Sequence, residues 1–170
     1  MSKEATLYLV CGKVASGKST LARSLAAGPG TVLLSEDVWL KGLYADRLET
    51  LSDYVKYSER LKVTLEPHIV CLLRAGLSVV LDFAANTVEM RKWMRRLFEA
   101  AGCPHELHLI DVPDEVCKQR LRARNAAGTH EFRVSDEQFD RITSHFQPPT
   151  DTEGFNVHRH RAEQRDPTYG

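Results

Sequence analysis

Hydrophobic residues along the chain follow two rhythms in alternation: short apolar runs, and longer stretches with apolar positions three and four apart. Leu7-Tyr8-Leu9-Val10-Cys11 is the first run and predicts a strand. A helical stretch follows from Thr20 to Ala27, with Leu21 and Leu25 sharing one face at i, i+4 spacing. Pro29-Gly30 breaks the chain, and Thr31-Val32-Leu33-Leu34 reads as a second strand. A weaker helical pattern covers Asp37 to Tyr44. From Asp53 to Ala75 the positions Tyr54, Tyr57, Leu61, Leu65, Ile69 and Leu72 recur at helical steps. Pro67 is expected to kink that helix one turn upstream or to split it, and Gly76 to end it.

Ser78-Val79-Val80-Leu81 is a third strand, closed by Asp82, and its unbroken apolar run suits a strand covered on both faces. Thr87 caps a strongly periodic helix whose stripe is Met90, Trp93, Met94, Leu97, Phe98 and Ala101. A fourth strand runs from His105 to Ile110, with Leu107 and Leu109 set among His105, Glu106 and His108. Pro113, Asp114 and Glu115 open a helix that reaches about Asn125. Ser135 and Gln138 form a capping box ahead of Phe139, Ile142 and Phe146. Phe155 to His158 reads as a last edge strand, and the tail from Arg159 is polar. Strands alternating with helices predict an α/β fold, a mostly parallel five-stranded sheet with helices on both faces. Ligands of such sheets bind beyond the carboxyl ends of the strands, so residues there carry the functional weight.

The chemistry begins directly after the first strand. Gly12-Lys13-Val14-Ala15-Ser16-Gly17-Lys18-Ser19 spells G-x-x-x-x-G-K-S between a strand and a helix, the setting in which this loop binds phosphates. Its glycines let backbone N–H groups point inward, and the helix starting beyond Gly17 adds its positive end. Lys18 reaches the outer phosphates, and the Ser19 hydroxyl, followed by Thr20, is placed for magnesium. A nucleoside triphosphate, ATP with Mg2+, is the expected ligand.

Carboxylates close the other strands. Asp82 is expected on the magnesium side, and Asp37 is expected to accept a proton from a hydroxyl attacking the γ-phosphate. The alternative for each of these, and for Asp111, is a cap on the next helix, and Asp82 is the other candidate for the base. Lys118, Arg120, Arg122 and Arg124 lie in one helix, with Arg120 and Arg124 one turn apart. The stretch Asn125 to Arg133 that follows is a candidate lid, delivering arginine to a transferring phosphoryl group. His158 and His160 read as solvated residues of a polar tail.

Composition narrows the class. A length of 170 residues suits one domain, taken as 1–158 with a lid at about 120–134 and a polar tail at 159–170. Lys plus Arg equal Asp plus Glu at 23 each, so no global field draws the chain toward nucleic acid or membrane. The four cysteines Cys11, Cys71, Cys103 and Cys117 show no C-x-x-C spacing and read as reduced thiols, mostly in the core. No apolar run reaches membrane-spanning length and Met1-Ser2-Lys3-Glu4 lacks a signal-peptide core, so a cytoplasmic location is expected.

The phosphate loop, Ser35-Glu36-Asp37, the Asp82 to Asn86 turn and Asp111-Val112-Pro113 together resemble the polynucleotide 5′-hydroxyl kinases. More broadly, residues 5–147 resemble the small P-loop kinases, whose relatives include chloramphenicol phosphotransferase, zeta-toxin kinases, and shikimate and gluconate kinases. The resemblance implies the P-loop NTPase fold, an aspartate base after the second strand, and an arginine-bearing lid. Asp37 and Arg124 match the latter two by position, and Arg120 matches a lid-helix arginine near the nucleotide. One departure stands out: nucleic-acid kinases of this group carry an arginine three residues after the base, where this chain has Leu40. The expected activity is ATP-dependent phosphorylation of a small hydroxyl-bearing acceptor, walled by Trp39, Tyr44, Phe83 and the Tyr54–Tyr57 helix. A polynucleotide 5′-hydroxyl kinase and an ATP-binding switch are the alternatives.

Overall fold

The five strands are β1 (Leu7–Cys11), β2 (Thr31–Ser35), β3 (Ser78–Ala84), β4 (His105–Asp111) and β5 (Val157–Arg161). They lie side by side in the order β2-β3-β1-β4-β5, every neighbouring pair parallel. The helices between them are α1 (Lys18–Leu25), α2 (Glu36–Tyr44), α3 (Leu51–Arg74), α4 (Val88–Ala101), α5 (Asp114–Ala127) and α6 (Asp136–Thr143). The computed structural model describes residues 4–128 and 133–161. Residues 129–132 of the expected lid and the tail beyond 161 lie outside the described residues.

The unbroken apolar runs are explained by cover on both faces. In β3, Val79, Leu81 and Phe83 enter the large core beneath α3 and α4, while Val80 joins Tyr8, Val10 and Ala22 beneath α1. From α1, buried Ala22 and half-buried Leu25 join this cluster; Leu21, also half-buried, stays outside it. A third cluster, Val112, Cys117, Leu121 and Phe139, packs α5 and α6 against Val14 and Ala15 of the phosphate loop. Caps set the helix starts: Thr50 and Asp53 make reciprocal bonds at α3, and Ser135 and Gln138 do so at α6.

Pro67 does not divide its helix. α3 runs unbroken across it, because Pro67 and Val63, whose carbonyl loses its partner, lie on the exposed face where water replaces the bond. The inner stripe of Leu61, Leu65, Ile69 and Leu73 continues on both sides. At the far edge the last strand starts and ends later than its apolar residues suggest. Phe155 precedes it, set edge-on to Phe98 and His105, and pairing with β4 carries the strand to Arg161. Of the cysteines, Cys11 and Cys117 are buried, Cys103 is half-buried and Cys71 is exposed, and all four are free.

The stripe of α4 also contains a charge. Arg91 is fully buried. Its Nε and Nη2 donate to the Glu153 carboxylate at 2.8 and 3.1 Å, and its Nη1 to the carbonyls of Ala85 and Gln147, both at 2.8 Å. This one side chain ties the end of β3 to the segment that leads into β5. Arg91→Ala strands the half-buried Glu153 charge and two carbonyls, and is expected to cost about 3 kcal/mol and roughly 10 °C in Tm. Thermal unfolding checks this against Lys92→Ala, whose exposed partner is Glu89 and whose loss should stay within about 0.5 kcal/mol.

Candidate active site

The phosphate loop leaves β1 at the middle of the sheet. A Cβ on Gly12 would lie 2.5 Å from Ser16 Oγ and 3.2 Å from the Ile110 carbonyl, so a side chain there would displace Ser16 and crowd the β4 backbone. Ala15 takes a left-handed φ of 60°, and Gly17 one of 105°. Leu21 N–H closes the first helical bond onto the Gly17 carbonyl at 3.0 Å. The amides of Lys18, Ser19 and Thr20 therefore have no acceptor within the helix. Ser16 Oγ is buried and without a hydrogen-bond partner among the described residues. Free amides, an orphaned hydroxyl and an ammonium converge at one helix end, which is the donor set of an anion cradle.

Lys18 Nζ donates to the carbonyls of Gly12 and Lys13, both at 2.7 Å. Burial pushes the Lys18 pKa down, against the pull of neighbouring groups that include the Asp82 and Asp37 carboxylates. The lysine thus rests on two loop carbonyls, near one acid of β3 and one at the start of α2. Asp82 does not close the third strand: it is half-buried within β3, which continues past it to Ala84, and stands beside Ser35 in register. Asp37 is exposed in the first turn of α2, where Ser35 occupies the cap position. Ser19 and Thr20 are exposed at the start of α1. The oxygens of Ser19 and Asp82 are the hard donors a magnesium ion takes.

Helix α5 grips the loop from the other side. Arg120 Nη1 donates to the Ser16 carbonyl at 3.0 Å and to that of Ala15 at 3.4 Å, and Lys13 pairs with Asp114. An open cleft of about 580 Å3 is lined by Ser16, Gly17, Thr20, Leu21, Arg120 and Arg124. Arg122 points away, paired with Glu115 at 3.2 Å and with Asp136. The i, i+4 pair of arginines faces the loop, and the residue between them does not.

Other expected positions separate from the loop. Asp111 is exposed and accepts from Arg159 Nη1 at 3.1 Å on the far edge. Phe83 is wholly buried against Trp93, their ring centroids 5.7 Å apart, so it belongs to the core and walls no acceptor. Tyr44 stacks on buried Tyr57 at 4.3 Å, while Trp39 is 37% exposed. Leu40, in place of the phosphate-gripping arginine, is buried to 1% exposure. The tail histidines are not simply solvated. His160 is half-buried and bonded to His108 at 2.8 Å, and both His158 and His160 stack on His108 at 5.1 Å.

Three residues at the site have no role in the sequence reading. Asn86 accepts from the Gly12 amide at 2.9 Å and donates to the Gly12 carbonyl at 2.7 Å, pairing with the loop as a neighbouring strand would. Its own carbonyl accepts from Gln147 N–H at 2.8 Å, which carries the Arg91 network to the loop. Glu36, next to Asp37, is buried and accepts from Ser58. The signal for Asn86 was present in the sequence, a lone amide directly past an apolar strand. For Arg91 and Glu36 it was not, because their partners are distant in the chain.

No helix among the described residues is long and apolar enough to cross a membrane. No curated protein matches the chain significantly. Among solved structures it is similar to the APS kinase of Mycobacterium tuberculosis in complex with AMPPNP and APS, at 23% identity and TM-score 0.63, covering 95% of this chain and 90% of that one. It is similar to a gluconokinase from Sinorhizobium meliloti 1021 at 15% identity and TM-score 0.60, covering 95% and 84%. A chain of the Pnkp1/Rnl/Hen1 RNA repair complex aligns at 20% identity and TM-score 0.66, covering 85% of this chain and 45% of that one. At these identities the likeness is one of fold, the P-loop kinase fold. The family is given by sequence: residues 7–149 match the AAA domain, and the chain belongs to that family.

Proposed function

We propose that this protein is an ATP-dependent phosphotransferase that moves the γ-phosphate of ATP to a hydroxyl of a small-molecule acceptor. The observation that carries the reading is the convergence on one phosphate cradle of Lys18, the Asp82 and Asp37 carboxylates and an arginine helix. The APS kinase and gluconokinase likenesses support it.

In this reading the loop residues Gly12, Lys13, Val14, Ala15, Ser16, Gly17, Lys18, Ser19 and Thr20 hold the triphosphate, backbone amides first and Lys18 on the outer phosphates. Lys18 exchanges the Gly12 and Lys13 carbonyls for phosphate oxygens. Ser19 and Asp82 would hold Mg2+, which when bound neutralises phosphate charge. Asp37 takes the proton of the attacking hydroxyl at its carboxylate and orients that oxygen. Arg120 braces the loop through Ser16. Arg124, one turn on in a lid at about 120–134, stabilises charge on the moving group and helps exclude water. Arg124→Ala is accordingly expected to lower turnover about a hundredfold with little change in nucleotide affinity. Arg122→Ala should leave both nearly unchanged, and steady-state kinetics of the two variants checks the facing of α5.

The choice of a small acceptor rests on Leu40. A residue buried to 1% exposure offers no grip for a phosphate, and the balanced net charge offers no field for a polynucleotide. The second reading, a 5′-hydroxyl end kinase, draws on the likeness to a chain of an RNA repair complex. Salt separates them, since each phosphate contact adds nearly one unit to the slope of log affinity against log salt. A 5′-hydroxyl oligonucleotide is expected to bind weakly at both 50 mM and 200 mM salt, conditions spanned by about a thousandfold change for a protein making many phosphate contacts. Tight binding at low salt that collapses at high salt would establish the end-kinase reading instead.

A further inference from the structure

A buried carboxylate adjoins the proposed base. Glu36 opens α2 and is 7% exposed. Its carboxylate accepts from the hydroxyl of Ser58, itself 7% exposed, and the hydroxyl of Tyr54 faces it, both from α3. Lys62, one turn beyond Ser58, and Asp37 are the other charged groups facing it. Burial and the Asp37 charge push its pKa up, and the Ser58 bond, the Tyr54 hydroxyl and Lys62 draw it back. Leu40 and Tyr44 follow Glu36 at one-turn intervals, Leu40 buried and Tyr44 stacked on Tyr57 of α3. One stripe of α2 is thus fixed to α3, and its polar end lies one residue before Asp37. An acid in this place is expensive to bury. Packing alone would be met by an apolar side chain of similar size.

We propose that Glu36 is a positioning residue: by holding Ser58 and Tyr54 it locks the first turn of α2 onto α3 and so fixes where the Asp37 carboxylate stands relative to the phosphate cradle. The inference rests on the reading of Asp37 as the base. It gives α3 a role in the transfer without contact with the reacting atoms, and it explains why the α3 end facing the site carries hydroxyls among its apolar residues.

The test uses the full chain with magnesium-ATP and water as the phosphoryl acceptor, following phosphate release for wild type, Glu36→Ala, Glu36→Gln, Ser58→Ala and Asp37→Asn. Glu36→Ala is expected to lower kcat about a hundredfold, the scale of a misplaced reacting group, with KM for ATP unchanged. Glu36→Gln keeps an acceptor for both hydroxyls and should stay within about fivefold of wild type, the worth of one hydrogen bond. Ser58→Ala removes one donor with little change in packing and should cost about fivefold in kcat, whether or not Glu36→Ala folds. A purely structural role would instead raise KM for ATP and lower Tm along with kcat. Amide hydrogen exchange over residues 39–42, whose N–H groups bond back to the carbonyls of the first turn of α2, should quicken in Ser58→Ala and stay slow in Glu36→Gln; unchanged exchange in both overturns the proposal. Wild-type kcat in Glu36→Ala, or equal losses in Glu36→Ala and Glu36→Gln, also overturns it. Asp37→Asn separates the two layers. If it alone leaves turnover intact, the base reading fails; if it costs turnover and Glu36→Ala does not, only the role of Glu36 fails.

Discussion

Lys18→Ala is expected to lower productive ATP use about a thousandfold while leaving the fold intact. In the proposed function the ammonium is the side chain of the G-x-x-x-x-G-K-S motif that meets the outer phosphates, and alanine supplies no charge in its place. Its structural contribution is small by comparison. The bonds it makes are to the Gly12 and Lys13 carbonyls, and Asn86 still donates to the Gly12 carbonyl after the lysine is gone. Burial already depresses the Lys18 pKa, so the unliganded protein bears a cost at this position that a bound phosphate would relieve. The variant should accordingly keep its Tm, or gain slightly, as it loses nucleotide affinity and turnover. Unaltered turnover with unaltered circular dichroism would remove the phosphate-loop assignment.

Asp37→Asn is expected to behave differently. Nucleotide should bind about as before, because Asp37 sits at the start of α2 rather than in the loop. Turnover should fall about a hundred- to ten-thousandfold, the range for loss of a general base. Asparagine preserves size and most hydrogen bonding, so the change isolates the proton acceptor. Equal losses in nucleotide affinity and turnover would make Asp37 a metal or nucleotide contact. The base would then have to be Asp82, the other carboxylate acting on Lys18. Calorimetric titration of the nucleotide alongside steady-state kinetics distinguishes the two assignments.

The layout of the sheet and the place of the loop were readable from residue order, because local pattern determines both. An apolar run followed by G-x-x-x-x-G-K-S has few alternatives, and the caps at Thr87 and Ser135 lie within three residues of their partners. Asp37 could be placed just past a strand end for the same reason, whereas Asp82, expected to close its strand, lies inside β3, which continues to Ala84. What was not readable depends on contacts between distant positions. The partner of Arg91 is 62 residues away, and in sequence that arginine is an interruption of an apolar stripe rather than its centre. His160 reads as tail until His108, 52 residues earlier, is beside it. Glu36 reads as a helix-starting acid, and only Ser58, 22 residues on, shows that it is buried. Pro67 misleads in the opposite sense, since its local penalty is set by exposure, which pattern alone does not report. Phe83 was misplaced because the alternation along β3 sends it, with Val79 and Leu81, to the side of α3 and α4.

Phosphoryl transfer can be read directly. Incubating the protein with γ-labelled magnesium-ATP against nucleosides, sugars, aminoglycosides, chloramphenicol and 5′-hydroxyl oligonucleotides shows where the label goes. The predicted result is label in a small hydroxyl compound, lost with Lys18→Ala and sharply reduced with Asp37→Asn. Label confined to inorganic phosphate, released at the same rate by Asp37→Asn, would contradict a kinase and leave a nucleotide-driven switch.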